Sequence, residues 1–173
     1  MRIGRSKARA ISEITIDADV DFNSHAITEM GNITMVENSG VQLLAALAVD
    51  GGWSGETVIA TAGENITKFE TVYLNADTTV YRSDATSAAT MPIKGIALED
   101  VGIGTTGVFL IKGFYRSDTH GFTVAAFLYA SGVVATLTET APVTGGHQVQ
   151  RVGIVVSDDI IWFRPDLTVV EVA

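Results

Sequence analysis

The sequence predicts a mainly β protein, with a compact antiparallel β-sandwich or β-barrel body and an extended N-terminal arm. Three observations predict it. Val and Thr each occur 20 times and Gly 17 times in 173 residues; Val and Thr suit pleated, half-buried surfaces, and Gly suits tight turns. From residue 57 onward, short apolar runs are broken by turn residues at close intervals, the pattern of a sandwich or barrel. No segment after residue 56 carries an apolar stripe at helical spacing.

The first element is a basic arm over residues 1–10. Arg2, Arg5, Lys7 and Arg9 place four of the eleven basic residues in the first nine positions. Residues 10–67 then hold nine acids and no Lys or Arg. A basic arm on an acidic body predicts docking onto an acidic partner surface; a solvated terminus is the other reading. No apolar h-region follows the arm, so no signal peptide is expected.

Residues 11–56 form the second element, an extended anchoring segment and linker. Within it, Ile14, Ile16, Ala18, Val20 and Phe22 alternate with Thr15, Asp17, Asp19 and Asp21. That period of two predicts a strand with one face buried and the other acidic. A calcium loop of the EF-hand kind is excluded, because Phe22 stands where its glycine is needed and Thr28 where its bidentate glutamate is needed. Asp17, Asp19 and Asp21 repel one another and call for solvent, a cation or a basic partner. The apolar run 41–49 (VQLLAALAV) fits a short helix or a strand, since periodicity does not separate the two at that length. It is too short to cross a bilayer. Gly51, Gly52 and Gly55 mark a hinge or linker.

The body spans residues 57–173. Strands are expected near 57–62, 68–74, 78–82, 93–98, 107–114, 122–129, 133–138, 149–156, 159–164 and 167–172. Residues 72–100 also resemble residues 127–159. Each stretch opens on an aromatic and aliphatic strand, turns, passes a proline (Pro92, Pro142) and enters a strand beginning Gly95-Ile96 or Gly153-Ile154. Two similar β units packed together would explain this, and so would the general likeness of β-rich sequences.

The GIGTTG run at 102–107 leads into the apolar β run VFLIKGF, whereas a dinucleotide fingerprint must lead into a helix; a hairpin loop is expected instead. His25, His120 and His147 have no metal-ligand spacing. Ser54 lacks the last glycine of a nucleophile elbow, because Glu56 stands there. The pairs Glu99-Asp100 and Asp158-Asp159 follow matching Gly-Ile strands and read as turn carboxylates. Without cysteine there are no disulfides or thiolate ligands. An enzyme, a cofactor and a bound metal are therefore not expected, nor is a nucleic-acid or membrane partner on a chain of net charge −9.

Residues 19–33, DVDFNSHAITEMGNI, resemble short segments of tailed-bacteriophage fibres and appendages, through Asp21, Asn23, Ile27, Met30 and Gly31. Downstream, Tyr73, Tyr81, Met91-Pro92, Gly95-Ile96 and Gly113, then Leu128-Tyr129, Pro142 and Gly153-Ile154, look like a β module of phage capsid decoration proteins, head fibres and tail fibres. The resemblance covers most of residues 19–173 and rests on turn and core positions. It implies a non-enzymatic, homo-oligomeric, usually trimeric virion component. Only one copy of the DFNSHAITEMG element is present, which fits a capsid-surface protein better than a long fibre.

The leading expectation is thus a homotrimeric virion protein that decorates or stabilises the capsid. It would be held to the major capsid protein, to other virion proteins or to its own neighbours by Arg2, Arg5, Lys7, Arg9, Ile14, Ile16, Val20 and Phe22. The alternative is a head- or tail-fibre module binding host-surface glycans through Trp53, Tyr115, His120 and Phe122, residues whose other reading is core or interface packing.

Overall fold

The computed structural model describes residue 43 and residues 45–173. The arm cations Arg2, Arg5, Lys7 and Arg9, the strand expected over 14–22 and the acidic face of Asp17, Asp19 and Asp21 lie outside the described residues. In the 41–49 run, residue 43 and residues 45–48 belong to neither a helix nor a strand.

Eleven strands follow: β1 Trp53–Thr61, β2 Thr71–Leu74, β3 Val80–Arg82, β4 Gly95–Ala97, β5 Thr106–Arg116, β6 Phe127–Ala130, β7 Leu137–Thr138, β8 Gln148–Val149, β9 Arg151–Val155, β10 Ile160–Phe163 and β11 Val170–Glu171. Every strand expected from residue 57 onward overlaps an observed one, and the run expected at 149–156 divides into β8 and β9. The β6 strand starts at Phe127, because 122–126 is spent on a turn in which Ala126 N–H donates to Thr123 O (3.0 Å). The first four residues of GIGTTG are the turn before β5, closed by Thr105 N–H on Gly102 O (3.1 Å), with Gly104 at φ 74°, and the last two open the strand.

Nine strands form one antiparallel sheet ordered β3-β2-β4-β5-β10-β9-β6-β7, with β1 added on β5, and the sheet curls into a half-barrel. Strands β8 and β11 make a separate ribbon through Val149 and Val170. The organiser is β5. Leu110 pairs with Thr57 of β1 on one side and Ile96 of β4 on the other, while Phe114 pairs with Ser54 of β1 and Trp162 of β10. So β1 takes one edge of β5, and β4 and β10 share the other end to end. The handover needs a bend, and Gly113 supplies it with φ 151°. Gly113 faces Gly55, and a Cβ at Gly113 would overlap the Ser54 carbonyl oxygen. Next to this pair, β1 shifts register between Glu56 and Thr57, a bulge that increases local twist.

The resemblance between 72–100 and 127–159 is a structural repeat. In the first, Val72 pairs with Gly95, Ile96 with Leu110, and Ala97 with Phe109. In the second, Leu128 pairs with Gly153, Ile154 with Trp162, and Val155 with Ile161. The turns agree too. Phe69 N–H donates to Ala97 O (2.8 Å) as Ala125 N–H donates to Val155 O (2.9 Å). Leu98 N–H donates to Val108 O (3.1 Å) as Val156 N–H donates to Ile160 O (2.8 Å). Among the described residues, the non-glycine positive φ values fall into two equivalent pairs: Phe69 (71°) with Ala125 (67°), and Thr78 (68°) with Ala135 (61°). Because Thr57 and Phe114 are the outer partners of Leu110 and Trp162, the first repeat runs from β1 to the first half of β5. The second runs from the last half of β5 to β10.

The repeats pack face against back. Ile96, Leu98 and Leu110 of the first join Leu128, Val152, Val155, Ile161 and Phe163 of the second in the main core. The back of the first repeat, with Val72, Ala97 and Phe109, is closed by Ala62, Ile66 and Val101. Buried Gln150 ties the two together: its Oε1 accepts from Ile93 N–H (2.8 Å), and its Nε2 donates to Ile93 O (3.1 Å) and Asp166 O (2.6 Å).

Candidate functional site: an open sheet face on the second repeat

In the first repeat, the face carrying Thr71, Ile96 and Leu110 is fully buried, each residue being 0% exposed. The equivalent face of the second repeat is open. Its register row crosses four strands, Phe114, Trp162, Ile154 and Phe127. Phe127 is 48% exposed, and Trp162, Ile154 and Phe114 are half-buried. Trp162 stacks on Phe114 with ring centroids 5.9 Å apart. Trp162, Ile154 and Phe127 of this row line a groove of about 590 Å³, together with Pro165, Asp166 and Leu167.

Cations line this apolar floor. Arg151 lies over the Phe127 ring (4.9 Å to its centroid) and Arg164 over the Trp162 ring (5.9 Å). Lys112 Nζ donates to Glu56 Oε1 (2.8 Å) at one margin, and Arg151 stands 3.8 Å from Asp166. Residues 45–173 carry seven Lys and Arg against fourteen Asp and Glu, and three of the seven meet here. Cations and apolar rings thus stand side by side here on a body that is acidic elsewhere.

The residues expected to recognise a surface are placed differently. Tyr115, His120 and Phe122 line one shallow concavity of about 280 Å³ together with Lys68, Phe69 and Glu70. Tyr115, expected at the surface, is 4% exposed and belongs to the main core, stacked on Phe69 at 5.7 Å. Burial pushes its phenol well above the ordinary value. Phe122 packs on the same core, and His120 stacks on Phe122 (5.5 Å) while its Nδ1 accepts the Phe122 N–H (2.9 Å). His120 Nε2 is buried without a partner. Trp53 is 43% exposed on β1, opposite Tyr115, and lines neither concavity.

Sequence reasoning missed Trp162, Phe127, Arg151 and Arg164. The run Ile160–Phe163 is apolar throughout, so alternation does not reveal which side is open. Aligning the repeats shows one change of bulk, Trp162 for Leu110, while Ile154 matches Ile96 and basic residues flank both pairs (Lys94 and Lys112, Arg151 and Arg164). The turn carboxylates are where the sequence puts them: Glu99 accepts from Val108 N–H (3.0 Å), Asp100 from Lys68 N–H (2.8 Å), and Asp159 pairs with Arg116 (2.9 Å).

No protein-family model matches the chain, and no curated protein sequence matches it. Among the described residues, no group of three or more His, Asp or Glu side chains is placed to hold a metal ion, and no helix is long and apolar enough to cross a membrane.

Proposed function

We propose that this chain is a non-enzymatic structural protein of a tailed-phage virion, which decorates or stabilises the capsid surface as a homotrimer anchored by its N-terminal arm. Two things support the reading. The sequence resemblance over residues 19–173 supplies the virion setting. The observation that carries the assembly part is the open row Trp162, Ile154 and Phe127, whose first-repeat equivalents Leu110, Ile96 and Thr71 are fully covered. A contiguous apolar face of this kind marks an interaction surface.

Native mass spectrometry with sedimentation at micromolar concentration tests the assembly, and a trimer is expected. Deletion of residues 1–10 should abolish attachment to capsids while leaving the β body folded. A chain that stays monomeric at every concentration contradicts the assembly reading, and a truncated chain that fills capsids to full occupancy contradicts the anchoring.

The second reading is a fibre module that binds host glycans. Burial of Tyr115 removes one of the residues first considered for it, but Trp162 beside Arg151 and Arg164 suits an acidic sugar, since a ring face and cations are both offered. A glycan array without signal removes that reading.

A further inference from the structure

The two repeats raise a specific question: what covers the open face of the second? Inside the molecule, that face of the first repeat is covered by the back of the second. Repeating the same packing between copies is closed off, because the back of the first repeat is already capped by Ala62, Ile66 and Val101. The cover must therefore be something other than another body stacked in the same way.

The sequence contains a segment with the required chemistry. Residues 10–42 hold six acids and no Lys or Arg, and within them Ile14, Ile16, Val20 and Phe22 alternate with Asp17, Asp19 and Asp21. The groove offers the complement: an apolar floor of Trp162, Ile154 and Phe127, and the cations Lys112, Arg151 and Arg164. Arg151 and Arg164 are exposed, and each guanidinium already lies against an aromatic ring with donors open to a carboxylate.

We propose that residues 14–22 of a second copy of this chain lie extended along this groove. Ile14, Ile16, Val20 and Phe22 rest on the Trp162–Ile154–Phe127 floor, and the aspartates stand on the solvent side within reach of Arg151 and Arg164. The choice of a second copy rests on the homo-oligomeric reading above. The contact joins neighbours by exchanged strands, so each groove in a closed ring is filled and none is left open.

The test uses the full chain with Phe22→p-benzoylphenylalanine, prepared light and ¹⁵N-heavy and mixed before irradiation. The expected result is cross-links to the peptides carrying Phe127, Ile154 or Trp162, found in light–heavy hybrids. Arg151→Glu with Arg164→Glu should cut the yield at least about tenfold. Adding Asp17→Lys, Asp19→Lys and Asp21→Lys to that variant should restore it, which loss of folding would not allow. Cross-links confined to one chain, or to a different surface, overturn the proposal. So does protection of Trp162 by a sialylated trisaccharide without any groove cross-link. Native mass of the same samples separates the failures: an oligomer lacking groove cross-links overturns only the strand docking, and a monomer overturns the assembly reading as well.

Discussion

The two repeats are built on one register yet treat the same face in opposite ways. In the first, Ile96 and Leu110 are sealed in the core; in the second, Ile154 and Trp162 floor an open groove. Equivalent strands thus carry Leu110 where the cover is internal and the larger, half-buried Trp162 where it is not, with Ile as the partner in both. Trp suits such a place because its large ring tolerates partial exposure. Duplication provides two copies of a face, only one of which the chain's own fold consumes. Under the proposed function, the surplus face is the one used for assembly.

The sharpest way to break the arrangement is at the joint between the repeats. Gly113→Ala places a Cβ against Ser54 and Gly55 backbone at φ 151°, and should cost about 3 kcal/mol or more in chemical denaturation. Gly104→Ala, at φ 74° but with open space around its Cβ position, should cost only about 1 kcal/mol.

Equivalent truncations sharpen the comparison. Leu110→Ala should destabilise the body by about 3 kcal/mol through the cavity it leaves. Trp162→Ala, at the matching position, should cost the isolated body about 3 kcal/mol as well but should in addition weaken oligomerisation, read as a shift of native mass toward monomer. A native mass that Trp162→Ala leaves unchanged would remove the distinction between a consumed and a surplus face.

A smaller effect is expected at the polar tie. Gln150→Leu keeps the volume but strands Ile93 N–H, Ile93 O and Asp166 O in the interior, a loss of about 2 kcal/mol in thermal or urea unfolding.

The smallest effect concerns pH. Burial alone would raise the Glu64 pKa, but hydrogen bonds from the Arg82 side chain and backbone hold it below its ordinary value of 4.5. A depressed carboxylate adds stability above its unfolded pKa and loses it as pH falls through the folded value. Stability should therefore decline below about pH 4.5, by no more than about 1 kcal/mol from this part-exposed pair, and Glu64→Gln should flatten that part of the profile.

Much of the body was legible in the sequence, for reasons that particular residues show. The strands carry β-branched and aromatic runs between turn residues, and Gly95-Ile96 and Gly153-Ile154 mark the same register step in both repeats. The helix-or-strand ambiguity at 41–49 had no local solution; its described part is tied down by Arg116 donating to Leu47 O (3.0 Å), a contact distant in sequence. The open face was not legible because exposure of an apolar strand depends on what lies across from it. The placement of Tyr115 inside and Trp162 half outside follows from the bend at Gly113, which composition alone does not announce.

The measurement that tests the surplus-face account most directly is oxidative footprinting of the two tryptophans in the intact chain, followed from dilute to assembled concentrations. Trp53, 43% exposed on β1 and outside the groove, serves as the internal reference. The account predicts that Trp162 becomes protected as the oligomer forms while Trp53 keeps its reactivity. Trp162 remaining as reactive in the oligomer as in the monomer would contradict it.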